Sequence, residues 1–449
     1  MINARTLAFQ LLLHVNQKPS HPDRLIRVTL ERHRLLDERE KALLTELVYG
    51  TIRWQGRLDW HIDQLSRIKP DKISNPIRIL LRLALYQILF LDRIPPHAAV
   101  NEAVKLARAT QPAFLAGFVN GLLREAIRHE GHWNWPSEEA NPADFLAVTT
   151  SHPVWFCKRC IGEMGFEEAR RFCDANNEVA PLVLRVNTLK TTTSELLEKL
   201  AGAGILGTPS PYLSDSIRVS GVRMDLARLP AFGSGWFQVQ DEASQLMGHL
   251  LCPSAGERVL DLCAGFGAKT THLGILMGNT GEIVAVDEAA WKLEDLKSNA
   301  ERQGIHIIRA LPGDALGLDP EAVGTFDRVL LDAPCSGFGT LRRNPDIRWR
   351  RHLKDPYRFS RLQESLLRHA ASLVAPGGNL VYATCTVFRE ENEAVVDRVL
   401  EEHPDYRLDE ARDFLPTSCL PLCEDGFFKS WPHRHGIDGF FGARFRRSN

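Results

Sequence analysis

Arg258-Val259-Leu260-Asp261-Leu262-Cys263-Ala264-Gly265-Phe266-Gly267-Ala268-Lys269-Thr270 runs from a short apolar stretch into a glycine-rich turn. A strand, such a turn and then a helix put free backbone amides at the carboxyl edge of a parallel sheet, where α/β proteins bind ligands. The spacing excludes a phosphate-binding P-loop, because Ala268 stands where a glycine must precede the lysine. It also departs from a dinucleotide fingerprint, since Thr270 occupies the third glycine position. About twenty residues on, Asp287 ends the apolar run Ile283-Val284-Ala285-Val286 and suits ribose hydroxyls. At this point a nicotinamide dinucleotide and S-adenosylmethionine fit equally.

Working outward, Arg328-Val329-Leu330-Leu331 and Asn379-Leu380-Val381-Tyr382-Ala383 read as later strands of a doubly wound parallel sheet that begins beyond Asp241. The first runs into Asp332-Ala333-Pro334-Cys335-Ser336 and the second into Thr384-Cys385. If these strands share one sheet, their carboxyl ends open on the same edge and two thiols share a crevice. Cysteines at strand ends also serve simply as small buried hydrophobes. A thiol pair beside a carboxylate, however, suits methylation at carbon 5 of cytosine. That carbon becomes nucleophilic only when a thiolate adds to carbon 6, and the adduct must later lose a proton and expel the thiolate. Asp314, in Gly313-Asp314-Ala315, could accept from an adenine amino group or be a solvated turn residue.

Toward the N-terminus the charge changes sign. Residues 1–128 carry 20 Lys and Arg against 12 Asp and Glu, whereas the remainder carries 35 against 44. A basic module on an acidic body fits a polyanion-binding appendage. Apolar residues recur there at helical spacing: Leu7, Leu11, Leu12 and Val15, then Leu43, Leu44, Leu47 and Val48, then Ile79, Leu80, Leu83 and Ile88. Pro95-Pro96 separates two helices. Arg53, Arg57, Arg78, Arg82 and Arg93 are either phosphate donors or part of a solvated face. This stretch resembles the helical RNA-binding domain of the NusB antitermination family, which favours RNA.

Between 130 and 145 the aperiodic His132-Trp133-Asn134-Trp135-Pro136-Ser137 reads as a linker, followed by helices to about 178. Short strands around a helix then suggest an α+β module, with Ser194 as a plausible helix cap. Neither Cys157-Lys158-Arg159-Cys160 nor the group Cys419, Cys423, His433 and His435 has the spacing of a standard zinc site, so no metal is expected. Nine cysteines without regular spacing do not make a disulfide framework. Met1-Ile2-Asn3-Ala4-Arg5-Thr6 leads into an amphipathic pattern rather than a signal peptide, and no apolar run is long enough to span a bilayer. A cytoplasmic protein without membrane partners is expected.

Asp332-Ala333-Pro334-Cys335-Ser336-Gly337 and Thr384-Cys385 closely resemble motifs of the RNA cytosine-5 methyltransferases. So do the intervening Arg343-Asn344-Pro345-Asp346-Ile347-Arg348-Trp349 and the following Glu390-Glu391-Asn392-Glu393, together with Gln240-Asp241-Glu242-Ala243-Ser244 and Asp438-Gly439-Phe440-Phe441. With the NusB-like front end, the resemblance implies methylation of one cytosine of 16S ribosomal RNA, at RNA position 967, with S-adenosylmethionine as donor. It implies Cys385 as nucleophile and Cys335 as the thiol assisting release. Asp332 is expected to activate cytosine, and Lys269 to orient Asp332 or favour a thiolate. The cofactor residues are then Cys263, Ala264, Gly265, Phe266, Gly267, Ala268, Lys269, Asp287, Asp314 and Asp332. In the loop the family usually reads Cys-Ala-Ala-Pro-Gly-Gly-Lys, so Gly265, Phe266 and Ala268 depart from it.

The expected architecture is an all-α NusB-like domain (1–140), a helical linker with a small α+β RNA-recognition module (145–240), and an α/β Rossmann-like methyltransferase domain (241–449). A monomer acting on naked 16S ribosomal RNA or an early assembly intermediate is expected. A non-enzymatic RNA-binding or ribosome-assembly factor on the same scaffold leaves the thiols and the strand-end acids unexplained. An NAD-dependent oxidoreductase leaves the thiols and the basic front end unexplained.

Overall fold

The computed structural model describes residues 3–17, 22–129, 131–222 and 225–449. Met1 and Ile2 of the N-terminal stretch and Glu130 of the linker lie outside the described residues. The chain divides into two compact units, Met1–Asn177 with Asn344–Arg350, and Glu178–Arg343 with Arg351–Asn449. Helices between 142 and 175, grouped by sequence with the α+β module, thus pack with the helical unit.

The helical unit contains Ala4–Gln17, Glu38–Arg53, Gln55–Leu65, Asn75–Phe90, Pro96–Thr110 and Ala113–Arg128 among its helices. The periodic positions Leu7, Leu11, Leu44, Leu47, Val48, Leu80 and Leu83 are buried in its core. Each such leucine contributes roughly 1.5–3 kcal/mol relative to exposure. Asp37 caps Glu38–Arg53 by accepting from the Glu40 amide at 2.8 Å.

The arginines left open as phosphate donors or a solvated face are largely committed inside this unit. Arg82 pairs with Asp59 at 2.7 Å, and Arg78 pairs with Asp59 and Asp63 at 3.2 and 3.1 Å. The Arg57 guanidinium lies 4.8 Å from the Trp135 ring centre, and burial lowers the pKa of Arg53. Arg93 alone of the five is exposed. A helical arginine with an acid on the neighbouring helix folds inward, and that pairing is invisible to spacing within one helix. The linker tryptophans are likewise packed, Trp135 stacking on Trp60 at 4.7 Å and Trp133 lying 4.1 Å from His61. Cys157 and Cys160 are buried with Cys173 as free thiols.

Asn344–Arg350, from the family-like motif, belongs to the helical unit although its sequence neighbours on both sides do not. Arg348 is fully buried there and donates to the carbonyls of Ser151 and Asn176 at 2.9 and 3.0 Å and to Asn177 Oδ1 at 2.8 Å. Trp349 Nε1 donates to the Ile52 carbonyl at 2.7 Å.

The second unit opens with β1 (Leu182–Val186), β2 (Leu206–Pro209), β3 (Ser216–Ser220) and β4 (Phe237–Val239), an antiparallel sheet in the order β2-β3-β1-β4 beside helix Thr193–Gly202. Thr192, not Ser194, caps that helix. Its hydroxyl accepts from the Glu195 amide while Glu195 bonds the Thr192 amide in return, a reciprocal box unavailable to a residue already inside the helix.

The larger sheet comprises β5 (Arg258–Leu262), β6 (Glu282–Asp287), β7 (Ile308–Pro312), β8 (Phe326–Asp332), β9 (Val374–Thr384), β10 (Tyr406–Asp409), β11 (Cys423–Glu424), β12 (Phe427–Lys429) and β13 (Phe441–Arg447). Strands β9-β8-β5-β6-β7 are parallel, so the Rossmann-like core stands as expected. The sheet is not wholly parallel, however: β13 runs antiparallel beside β9, followed by β12 and β11, with β10 also on β13. The chain leaves β5 toward β6 on one side and returns through β8 on the other, so the switch point lies between β5 and β8.

Candidate active site

The two motif strands are immediate neighbours, with Asp332 opposite Ala383 in register. The chain beyond each strand end therefore turns over the same edge, and Cys335 Sγ comes to 3.3 Å from Cys385 Sγ. Turn Phe338–Thr340 closes over them, its Gly339 amide donating to the Cys385 carbonyl at 2.9 Å. A Cβ on Gly339 would stand 1.8 Å from the Gly439 carbonyl oxygen, so only glycine allows this approach.

Lys269, at the start of helix Ala268–Leu276, places Nζ 2.6 Å from Asp332 Oδ2. Burial works to lower the lysine pKa, but the charge and hydrogen bond of Asp332, with Cys385 and Asp261 adding, hold it above its ordinary value. The ammonium therefore stays charged at the thiol crevice. The Phe440 ring lies 5.3 Å from Nζ. The hydrogen bond with Cys385 and burial both push the Cys335 thiol well up, which keeps it protonated.

A carboxylate whose role the sequence leaves open supports the turns from below. Glu391 is fully buried, accepting from the Ser336 amide at 2.8 Å, the Ser336 hydroxyl at 2.5 Å and Gln363 Nε2 at 3.1 Å. Burial raises its pKa to about 6 against these hydrogen bonds. Asn392 accepts from Thr384 Oγ1 at 2.6 Å and donates to the Thr386 carbonyl at 3.2 Å. The Glu390–Glu393 motif thus holds both cysteine-bearing turns. Its signal was a pair of polar residues that ended up buried.

In the glycine-rich loop, Cys263, Gly265 and Gly267 take φ of 62°, 58° and 78°. A Cβ on Gly267 would meet Leu296 Cγ at 2.3 Å. Asp287 ties the loop down, accepting from the Gly265 amide at 2.9 Å through Oδ2 and the Ala289 amide at 2.9 Å through Oδ1. The amide of Gly313 donates to the Asp287 carbonyl at 3.1 Å, which brings the next residue, exposed Asp314, to this edge. Asp314 Oδ1 accepts from the Leu316 amide at 3.0 Å. Phe266, where the family pattern has proline, is half exposed with its ring 5.5 Å from that of Trp291.

Asp261, not singled out as a site residue by sequence, is fully buried at the end of β5. Its Oδ2 accepts from Thr270 Oγ1 at 2.6 Å, while Oδ1 has no hydrogen-bond partner among the described residues. Burial, reinforced by Asp332 and Asp287 against Thr270 and Lys269, pushes its pKa up to about 7. An unpartnered acceptor beneath the loop, left-handed glycines and a ribose-side acid fit a cationic nucleoside such as S-adenosylmethionine, which has no pyrophosphate to grip.

The fold and this edge define an S-adenosylmethionine-dependent methyltransferase with two thiols in its crevice. Residues 248–446 match the 16S rRNA methyltransferase RsmB/F family, residues 2–128 the NusB family, and residues 152–224 the ferredoxin-like domain of RsmF/B-like methyltransferases. The chain is 36% identical to the probable ribosomal RNA small subunit methyltransferase B of Bacillus subtilis, over 99% of both chains. It is 37% identical to that of Synechocystis sp. over 100% of both. The crystal structure of the protein PH0851 matches with a TM-score of 0.83 at 30% identity, covering 100% of this chain and 99% of that one. The chain belongs to the 16S rRNA methyltransferase RsmB/F family.

Proposed function

We propose that this enzyme methylates carbon 5 of a single cytosine of 16S ribosomal RNA, RNA position 967 by resemblance, through a covalent adduct on Cys385. Bound S-adenosylmethionine supplies an electrophilic methyl group on a sulfonium. Cys385 Sγ forms a bond to carbon 6, and the displaced π electrons make carbon 5 a nucleophile for that methyl. Ring nitrogen 3 takes a proton from water as sulfur adds, and Asp332, oriented by Lys269, would stabilise that proton by accepting from it. In the last step water takes the proton from carbon 5, its electron pair restores the double bond to carbon 6, and the bond from sulfur to carbon 6 breaks to return the Cys385 thiolate, which Cys335 assists by donating to the leaving sulfur. The observation that carries this reading is the 3.3 Å approach of the two sulfurs beside the Lys269–Asp332 pair.

The loop Cys263–Lys269 with Asp287 and Asp314 holds the donor in this reading. Residues 1–140 and 145–240 are its RNA-binding and recognition parts and 241–449 its catalytic part. The target base leaves its stack to reach the crevice, so naked RNA or an early assembly intermediate, met by a monomer in the cytoplasm, is the substrate state proposed.

Incubation of 16S ribosomal RNA with labelled S-adenosylmethionine tests this. Cys385→Ala should abolish transfer, whereas Cys335→Ala should accumulate a protein–RNA adduct that survives denaturing electrophoresis. Transfer persisting in Cys385→Ala would remove the mechanism.

A further inference from the structure

Away from the thiol crevice, three potential metal ligands converge where the small α+β sheet meets the methyltransferase core, all within the second unit. Asp215 directly precedes β3, His249 lies on helix Glu242–Leu251, and His272 lies on the helix that follows the glycine-rich loop. One ligand atom from each lies within 4.8 Å of the other two. The imidazole centres of His249 and His272 are 5.2 Å apart at 72°, crossed rather than stacked.

The histidines lack the partners that burial normally demands. His272 is 1% exposed, and among the described residues its ring has no side-chain partner, only the Gln245 backbone acting on one nitrogen, while His249 Nε2 is also buried and unpartnered. Leaving a buried imidazole nitrogen unpaired is costly, so such a group implies a missing ligand. The backbone is fitted to it: a Cβ on Gly248 would stand 2.9 Å from His272 Nδ1, so glycine there gives the ring its place. Asp215 is fixed through its own carbonyl, which accepts from the Val186 amide at 2.8 Å.

The nearby cation takes its hydrogen bonds elsewhere, although the Asp215 charge works against burial to hold Arg185 protonated. Arg185, fully buried on β1, donates to Gln240 Oε1, the Ala268 carbonyl, Thr271 Oγ1 and Gln303 Oε1, with distances from 2.5 to 3.0 Å. Among the described residues the Asp215 carboxylate forms no hydrogen bond with Arg185, and one of its oxygens lies within 4.8 Å of a nitrogen of each ring. Two imidazoles and one carboxylate suit a first-row transition metal in tetrahedral coordination, with the fourth position left to water. Metal–ligand distances of about 2.0–2.2 Å bring ligands to roughly 3.4 Å from one another, so binding draws the three groups together from within 4.8 Å.

We propose that Asp215, His249 and His272 bind one divalent transition-metal ion, Zn²⁺ by ligand chemistry, clipping the start of β3 to the helices carrying His249 and His272. With water in the fourth position, the ion ties the recognition module to the helix that begins at the cofactor loop.

The test uses the full chain, stripped with chelator and titrated separately with Zn²⁺ and Co²⁺. One equivalent should bind, Co²⁺ should give visible ligand-field absorption that Zn²⁺ displaces, and Zn²⁺ should raise Tm. His249→Ala and Asp215→Asn should each weaken binding at least about 100-fold, since losing a direct ligand exceeds the 10–100-fold typical of an outer-shell partner. Both variants should also lose the Tm response. Asp215→Asn keeps shape and volume, so it still reports if His249→Ala fails to fold. Substoichiometric binding, unchanged affinity in Asp215→Asn, or Co²⁺ absorption dominated by thiolate charge transfer would overturn the proposal, the last pointing to cysteines instead.

Discussion

Replacing Glu391 should destabilise the protein more in mild acid than at neutral pH, the reverse of what losing an ordinary ion-paired carboxylate does. Burial holds Glu391 up at about 6, against an ordinary value of 4.5, so the folded state binds its proton more tightly than the unfolded chain. Its favourable contribution is therefore complete below pH 4.5 and declines as pH rises through 6. Fully ionised, Glu391 costs the fold about 2 kcal/mol relative to its protonated form, and the change between pH 5 and 7.5 is about 1 kcal/mol. Glu391→Ala removes that cost along with the side chain, but strands the Ser336 amide, for about 1–3 kcal/mol, and opens a cavity worth roughly 1 kcal/mol. Urea denaturation of wild type and variant at the two pH values should give a destabilisation about 1 kcal/mol larger at pH 5. A pH-independent difference, or a larger one at pH 7.5, would refute the account of Glu391 as a buried acid held near neutrality. Methyl transfer should fall with it, because the turn carrying Cys335 loses its support.

Lys269→Ala should slow methyl transfer by 10- to 1000-fold, roughly the range for losing one oriented charge at a reacting centre, and alter the pH profile of the rate. An unchanged rate and profile would end its proposed role. Gly267→Ala should weaken S-adenosylmethionine binding and lower stability, since φ of 78° costs a residue with a side chain about 1–2 kcal/mol before the Leu296 contact is counted; calorimetric titration with the donor checks this.

What could be read from sequence was what depends on local pattern. The strand–turn–helix at Arg258–Thr270 set the sheet edge, and two apolar runs ending in cysteine-bearing turns needed only to be neighbours for the thiols to meet. The helical core followed from spacing alone. What escaped depends on partners distant in the chain. Phe441–Arg447 carries five arginine or phenylalanine positions that read equally as tail or strand, and its pairing with β9 is decided only once β9 exists. Arg78 and Arg82 looked like phosphate donors because the acids that claim them sit on another helix. Glu391 escaped for a related reason: an acid in a Glu-Glu-Asn run ordinarily reads as surface, and only the fold buries it under Ser336.

The same dependence explains why so much of the frame around the crevice is ionic. Arg343 bonds Asp438 Oδ2 at 2.6 Å and Asp241 Oδ2 at 2.7 Å, while Arg342 bonds Asp438 Oδ1 at 2.7 Å. Asp241 also accepts from the Ala243 amide at the start of helix Glu242–Leu251. Asp438 precedes β13, the strand that flanks β9 and its Cys385. An apolar cluster of equal volume could match this network in stability, but would leave the relative rotation of those segments loosely specified. Planar guanidinium forks donate to carboxylates in few orientations, so each bond fixes direction as well as distance. Two sulfurs 3.3 Å apart on separate turns need that directional control, because a small shift of either turn would separate the attacking thiol from the one that assists its release.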